Sequence, residues 1–128
     1  MDVTTWVETY RRAWEQTDDQ LAASLFTEDA TYRSLIFEEP NVGQEGVSTY
    51  WRRVTASQSD IKVRMGRPFV DGDRVTVEFW TEMTVDGDDV TLAGCLLLQF
   101  AADGRCRSLR EYWSLTPGRH EPPTEWGS

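Results

Sequence analysis

Apolar residues recur every three or four positions through the first third of the chain and every second position through its last half. Val3, Trp6, Val7, Tyr10, Ala13 and Trp14 form one stripe, which predicts an amphipathic helix. Asp2 or Thr4 can cap its start. Thr17, Asp18 and Asp19 interrupt the stripe and can cap a second helix carrying Leu21, Ala22, Leu25 and Phe26, with its end expected near residues 27–29. Residues 30–37 read as a short strand followed by a loop that Pro40 and Gly43 mark. A third helix is expected from about Glu45 to Thr55, with Val47, Tyr50, Trp51 and Val54 on one face.

From Ile61 onward the period is two. Ile61, Val63 and Met65 alternate with charged neighbours, and Val75, Val77, Phe79, Thr81 and Met83 alternate with Thr76, Glu78, Trp80 and Glu82. Residues 92–100 are apolar on both faces, and residues 105–115 form the last strand. Acid–Gly pairs at Asp71-Gly72, Asp86-Gly87 and Asp103-Gly104 supply tight turns, so these strands pair with their neighbours. Three helices followed by long strands is an α+β order. The expected architecture is a cone: a curved antiparallel (mixed) sheet wrapped around three N-terminal helices and enclosing a single apolar pocket. Residues 1–116 make this domain, and 117–128 are expected to be an irregular C-terminal tail.

Composition narrows the function classes. Six Trp, five Phe and four Tyr supply enough area for a substantial core. A formal net charge of −9 disfavours nucleic acid and anionic membranes as partners. No apolar run is long enough to span a bilayer, and no basic-then-apolar leader is seen at the N-terminus, so a cytoplasmic location is expected. Cys95 and Cys106 lack metal-ligand spacing, and His120 is the sole histidine, so neither a metal site nor a Ser-His-Asp triad is expected. With no glycine-rich phosphate loop either, no cofactor is implied.

The segments Tyr-Arg-Arg-Ala-Trp (10–14), Leu-Phe-Thr-Glu-Asp-Ala-Thr-Tyr (25–32), Gly-Gln-Glu-Gly-Val (43–47) and Arg-Glu-Tyr-Trp (110–113) carry a resemblance. In this order the chain resembles the SnoaL-like, nuclear-transport-factor-2-like superfamily over most of residues 3–115. That superfamily holds isomerases, dehydratases, cyclases, epoxide hydrolases and plain binding modules, so the resemblance implies the cone and not the activity. Against the steroid isomerase branch, the oxyanion-holding tyrosine falls on Tyr10. The catalytic base aspartate falls on Ser34, and the second oxyanion donor falls on Leu96. Serine cannot replace a carboxylate base and leucine donates no hydrogen bond, so that mechanism is rejected.

Sorting the strands by period, with the family comparison as guide, puts Phe79, Thr81, Met83, Leu96, Leu98, Leu109, Glu111 and Trp113 on the concave face. Glu111 is then a carboxylate in an apolar cone, the profile of a general acid or base. The alternatives are a pair with Arg33, Arg64 or Arg110, or a place at a wet rim. Tyr10 either holds a substrate oxygen or packs as a helix aromatic. Trp14, Phe37, Tyr50 and Trp51 are expected in the pocket walls, with Ser34 and Glu38 at the mouth. Asp29, between a helix and a strand, is expected to bond local backbone. On the convex face Trp80, Ala93, Cys95, Leu97, Cys106 and Tyr112 are too apolar to face water. Either a homodimer packs through Trp80, Cys95, Leu97 and Tyr112, or the tail folds back with Trp126 as a plug. Three functions follow: an acid–base enzyme on a small apolar oxygenated molecule, a non-catalytic binding module, or a partner-binding scaffold.

Overall fold

The computed structural model describes residues 2–128. Helix α1 (Val3–Glu15) starts where the Asp2 carboxylate accepts the Thr5 N–H at 2.8 Å, and α2 (Asp19–Ser24) starts at Asp18, which does the same for Leu21. The second helix is shorter than its apolar spacing suggests. The Leu25 carbonyl, which further helix would need, is taken by the Trp6 indole N–H at 2.9 Å and by the Cys106 backbone N–H at 2.8 Å. Phe26 therefore opens strand β1 (Phe26–Arg33) instead of closing a helix. After a loop over residues 34–40 come β2 (Asn41–Val42) and α3 (Gly43–Thr55). Gly43 begins that helix at φ +73°, where a Cβ would stand 2.7 Å from the Glu28 carbonyl oxygen.

The remaining chain supplies β3 (Gln58–Met65), β4 (Phe69–Asp71), β5 (Arg74–Val85), β6 (Asp88–Phe100) and β7 (Cys106–Pro117). The main sheet runs β2-β1-β7-β6-β5-β3, with β4 paired to the start of β5. Every pairing is antiparallel except that of β1 with β7, which is parallel and makes the sheet mixed. The helices fill its concave side. Trp6 stacks on Tyr10 with ring centroids 5.5 Å apart and meets Phe26 and Phe100 edge-on, while Trp14 packs against Phe79 and Trp51. Polar edges are met: Trp14 donates to the Gln58 side chain at 2.9 Å, and the Glu15 carboxylate accepts the Val63 N–H at 2.9 Å, tying α1 to β3.

Two sequence expectations are corrected here. Cys106 is fully buried and not on the convex face. The register of β6 against β7 slips between Gln99 and Phe100, where Phe100 pairs with Cys106 and Gln99 with Ser108. That bulge adds a residue and reverses the alternation at the start of β7, turning Cys106 inward. Burial pushes its thiol up to about 12. Phe37 is the second correction: it is fully exposed on the 34–40 loop. The strand it was expected to extend stops at Arg33, so no sheet holds it inward.

The tail after Pro117 crosses the convex face as a strap. Thr91 donates to the Gly118 carbonyl at 2.7 Å, the Trp80 indole donates to the His120 carbonyl at 2.8 Å, and Arg67 N–H donates to the Gly127 carbonyl at 2.8 Å. Trp126 packs edge-on against Trp80 at 6.0 Å. Trp80 is thus covered by the chain itself, while Cys95 and Leu97 remain half-buried and Tyr112 is exposed. Among the described residues no helix is long and apolar enough to cross a membrane.

Candidate functional site

Beyond Glu111 the inner face of β7 is no longer roofed by helices, and Trp113 is 42% exposed. The gap between this strand end, α3 and the 34–40 loop is an open cleft of about 570 Å³. Ser34, Tyr50, Met83, Glu111 and Trp113 line it, with Glu38, Glu39 and Arg53 among the charged residues. A smaller chamber of about 50 Å³ lies against α1, walled by Tyr10, Trp14, Tyr32, Tyr50, Trp51 and Glu111. At about 10–15 Å³ per water-sized position, it takes about four heavy atoms. Tyr50 and Glu111 belong to both spaces, so they stand where one passes into the other.

Glu111 is 7% exposed and pairs in register with Leu96. None of the arginines that sequence reasoning offered as partners reaches it. Arg33 donates to the Glu38 carbonyl, Arg64 pairs with Glu121 and Glu82, and Arg110, one residue along the strand, points the other way. Among the described residues no cation pairs with it, and burial pushes its carboxyl up to about 8. At neutral pH it is therefore mostly the neutral acid. Tyr10 is raised well above an ordinary phenol, first by burial and then by the facing Glu111 charge, with the Tyr32 hydroxyl opposing. Tyr50 moves up for the same two reasons, with Ser34 and Arg53 opposing. Both tyrosines are fixed donors at any physiological pH. The Trp51 indole N–H donates to the Tyr32 hydroxyl at 3.2 Å, which sets that ring's polar end toward the chamber group.

Other expected pocket residues lie deeper or elsewhere. Phe79, Thr81, Leu96, Leu98 and Leu109 are packed in the core under the chamber and line neither space. Thr81 keeps a buried hydroxyl with no partner. Asp29 accepts from the Thr27 hydroxyl at 2.9 Å, away from the cleft. The Trp113 indole donates to the Ser34 carbonyl at 2.6 Å and anchors the loop to β7. Sequence reasoning missed Tyr32, Gln58 and Arg53. Tyr32 carried a usable signal, since it alternates with Ala30 on the buried side of β1.

A curved mixed sheet closed over three helices, with a lone acid where cleft meets chamber, defines a cone-fold pocket protein. Many solved structures share the architecture. A hypothetical protein with a ketosteroid isomerase-like fold from Catenulispora acidiphila, in complex with trimethylamine, superposes with a TM-score of 0.77 at 23% identity over 85% of each chain. An LEH-like epoxide hydrolase of M. tuberculosis gives 0.71 at 22% identity, over 86% of this chain and 80% of that one. The epoxide hydrolase/cyclase-like enzyme SalBIII, of pyran ring formation in the polyether salinomycin, gives 0.78 at 19% identity, over 90% and 95%. At such identities the likeness is one of fold. No curated protein matches by sequence. The SnoaL-like domain model matches residues 7–109, and the chain belongs to that family.

Proposed function

We propose that this protein is a cofactor-independent acid–base enzyme acting on a small, largely apolar, oxygenated molecule, by isomerisation, dehydration or cyclisation. The observation that carries the reading is Glu111, a buried carboxyl that no cation among the described residues pairs with, at the meeting of an open cleft and a largely aromatic chamber. The ligand body lies in the cleft and its reacting oxygen reaches Glu111. The neutral acid gives that oxygen its proton, and Tyr10 and Tyr50 hold the oxygen by hydrogen bonds. In a dehydration, water leaves and the resulting carboxylate takes the proton lost from the adjacent carbon, which restores the neutral acid.

The working form is protonated, so kcat/KM is flat on the acid side and falls as pH rises past about 8. The test is a panel of cyclic enones, β-hydroxy ketones and epoxides, followed by product analysis with wild type and Glu111→Gln. Turnover of at least one class, reduced by about 10²-fold or more in the variant, supports the reading. A second reading, a non-catalytic binding module, rests on Ser34 and Leu96, which stand where the steroid isomerases carry carboxylates. Binding without turnover, unchanged by Glu111→Gln, selects it. We further propose a homodimer through Cys95, Leu97 and Tyr112 and a cytoplasmic location, the first supported by the apolar convex face beside the strap.

A further inference from the structure

The chamber's charge is one-sided: Glu111 is the ionisable acid among neutral aromatic and polar walls. Glu111 offers two acceptor oxygens and, once ionised, no donor. The Trp51 N–H is already given to Tyr32. Most of the remaining wall is aromatic, from Tyr10, Trp14, Tyr32, Tyr50 and Trp51, while Thr55 gives its hydroxyl to the Trp51 carbonyl and Gln58 accepts from the Trp14 indole. A lone carboxylate ringed by aromatic side chains matches a group that carries positive charge and is attracted by π-systems. The approach has the same bias. Glu38 and Glu39 line the cleft, and the chain carries a net charge of −9. Among the described residues the cation at the mouth is Arg53, which is engaged over the Tyr50 ring at 5.7 Å.

We propose that the chamber is a binding site for a compact alkylammonium group carried on an apolar body, with Glu111 as its counter-ion. An aminomethyl or dimethylammonium head fits a space for about four heavy atoms, and the body fills the cleft. The inference uses the same carboxyl as the proposed function and rests on its being cation-free, not on turnover. The charge balance is explicit. The amine arrives as R–NH3+ and the neutral Glu111 acid loses one proton to solvent, leaving an ammonium–carboxylate pair. The groups facing Glu111 are Tyr10 from α1, Tyr32 from β1, Tyr50 and Arg53 from α3, and Glu38 and Glu39 from the loop; Leu92 and Leu96 on β6 carry no charge. The tyrosines stay neutral in the working range, so Glu111 supplies the exchanged proton.

The test compares cyclohexylmethylammonium with cyclohexylmethanol, two probes of one shape that differ in the charged head. Titration calorimetry on the full chain in phosphate and in MES at pH 6.5 is expected to show one proton released per ammonium bound and none for the alcohol. The ammonium Kd is expected to fall about tenfold per pH unit between pH 5.5 and 8 and then level, while the alcohol's stays flat. Glu111→Gln is expected to remove both the proton release and the pH dependence. Since these wild-type signatures do not need the variant, a misfolded variant leaves the test intact. Equal or tighter binding of the alcohol, or ammonium binding without proton release, overturns the inference. Failure here with Glu111-dependent turnover of oxygenated substrates leaves the proposed function standing. Ammonium binding without any turnover does the reverse.

Discussion

At the residue scale, Glu111 ties stability to pH. Its folded carboxyl sits at about 8, above the ordinary value of 4.5, so between those values the folded state holds a proton that the unfolded chain releases. Stability from this group is full below pH 4.5 and is lost as pH rises through 8. Thermal melts of wild type and Glu111→Gln should therefore converge near pH 5 and diverge by roughly 5–10 °C at pH 8.5, with the variant the more stable. Parallel curves would mean that the carboxyl is solvated or paired. This residue was legible in the sequence because a carboxylate broke a period of two between Leu109 and Trp113. Tyr10 was legible by family resemblance and by its place in the helix stripe. Phe37 was not, since an aromatic in a loop has no period to orient it. Cys106 was misplaced because a one-residue bulge is invisible to alternation counts.

At the element scale, strands β6 and β7 hold the site through one close approach. A Cβ on Gly94 would stand 2.2 Å from the Tyr112 carbonyl oxygen and 2.9 Å from Trp113 Cα. Gly94→Ala must therefore part the two strands, and it should cost about 2–4 kcal/mol in urea unfolding while lowering probe affinity. A neutral effect would show that the pair can slide. Helix starts and turns were legible, because Asp2, Asp18 and the acid–Gly pairs act on their own neighbours. The end of α2 was not, because its cause is remote: Trp6 and Cys106 claim the Leu25 carbonyl. The parallel pairing of β1 with β7 had the same kind of cause, lying between segments far apart in the chain.

At the scale of the whole molecule, the convex face divides between strap and open patch. The sequence offered the tail and a second copy as alternatives, and could not choose, because the tail has no periodicity to say where it goes. Trp126 covers Trp80, so Trp126→Ala should cost about 1–2 kcal/mol and make Trp80 more accessible to acrylamide quenching. The patch of Cys95, Leu97 and Tyr112 lies outside the strap. If two copies pack there, Leu97→Asp should shift the sedimentation profile from dimer to monomer without lowering the melting temperature of the monomer by more than a few degrees. A wild-type protein that already sediments as a monomer removes the dimer and leaves the patch simply exposed.

The strand that carries Glu111 follows every other element in chain order, yet it lies between β1 and β6 in the middle of the sheet. Until it arrives, β1 and β6 have no neighbour on that side, and the aromatic interior is open to water. Pairing Phe26 with Cys106 closes a long loop, which slows the nucleation step of folding. Completion of the pocket and closure of the sheet thus depend on one strand, and the acid lies in an environment that its own strand seals.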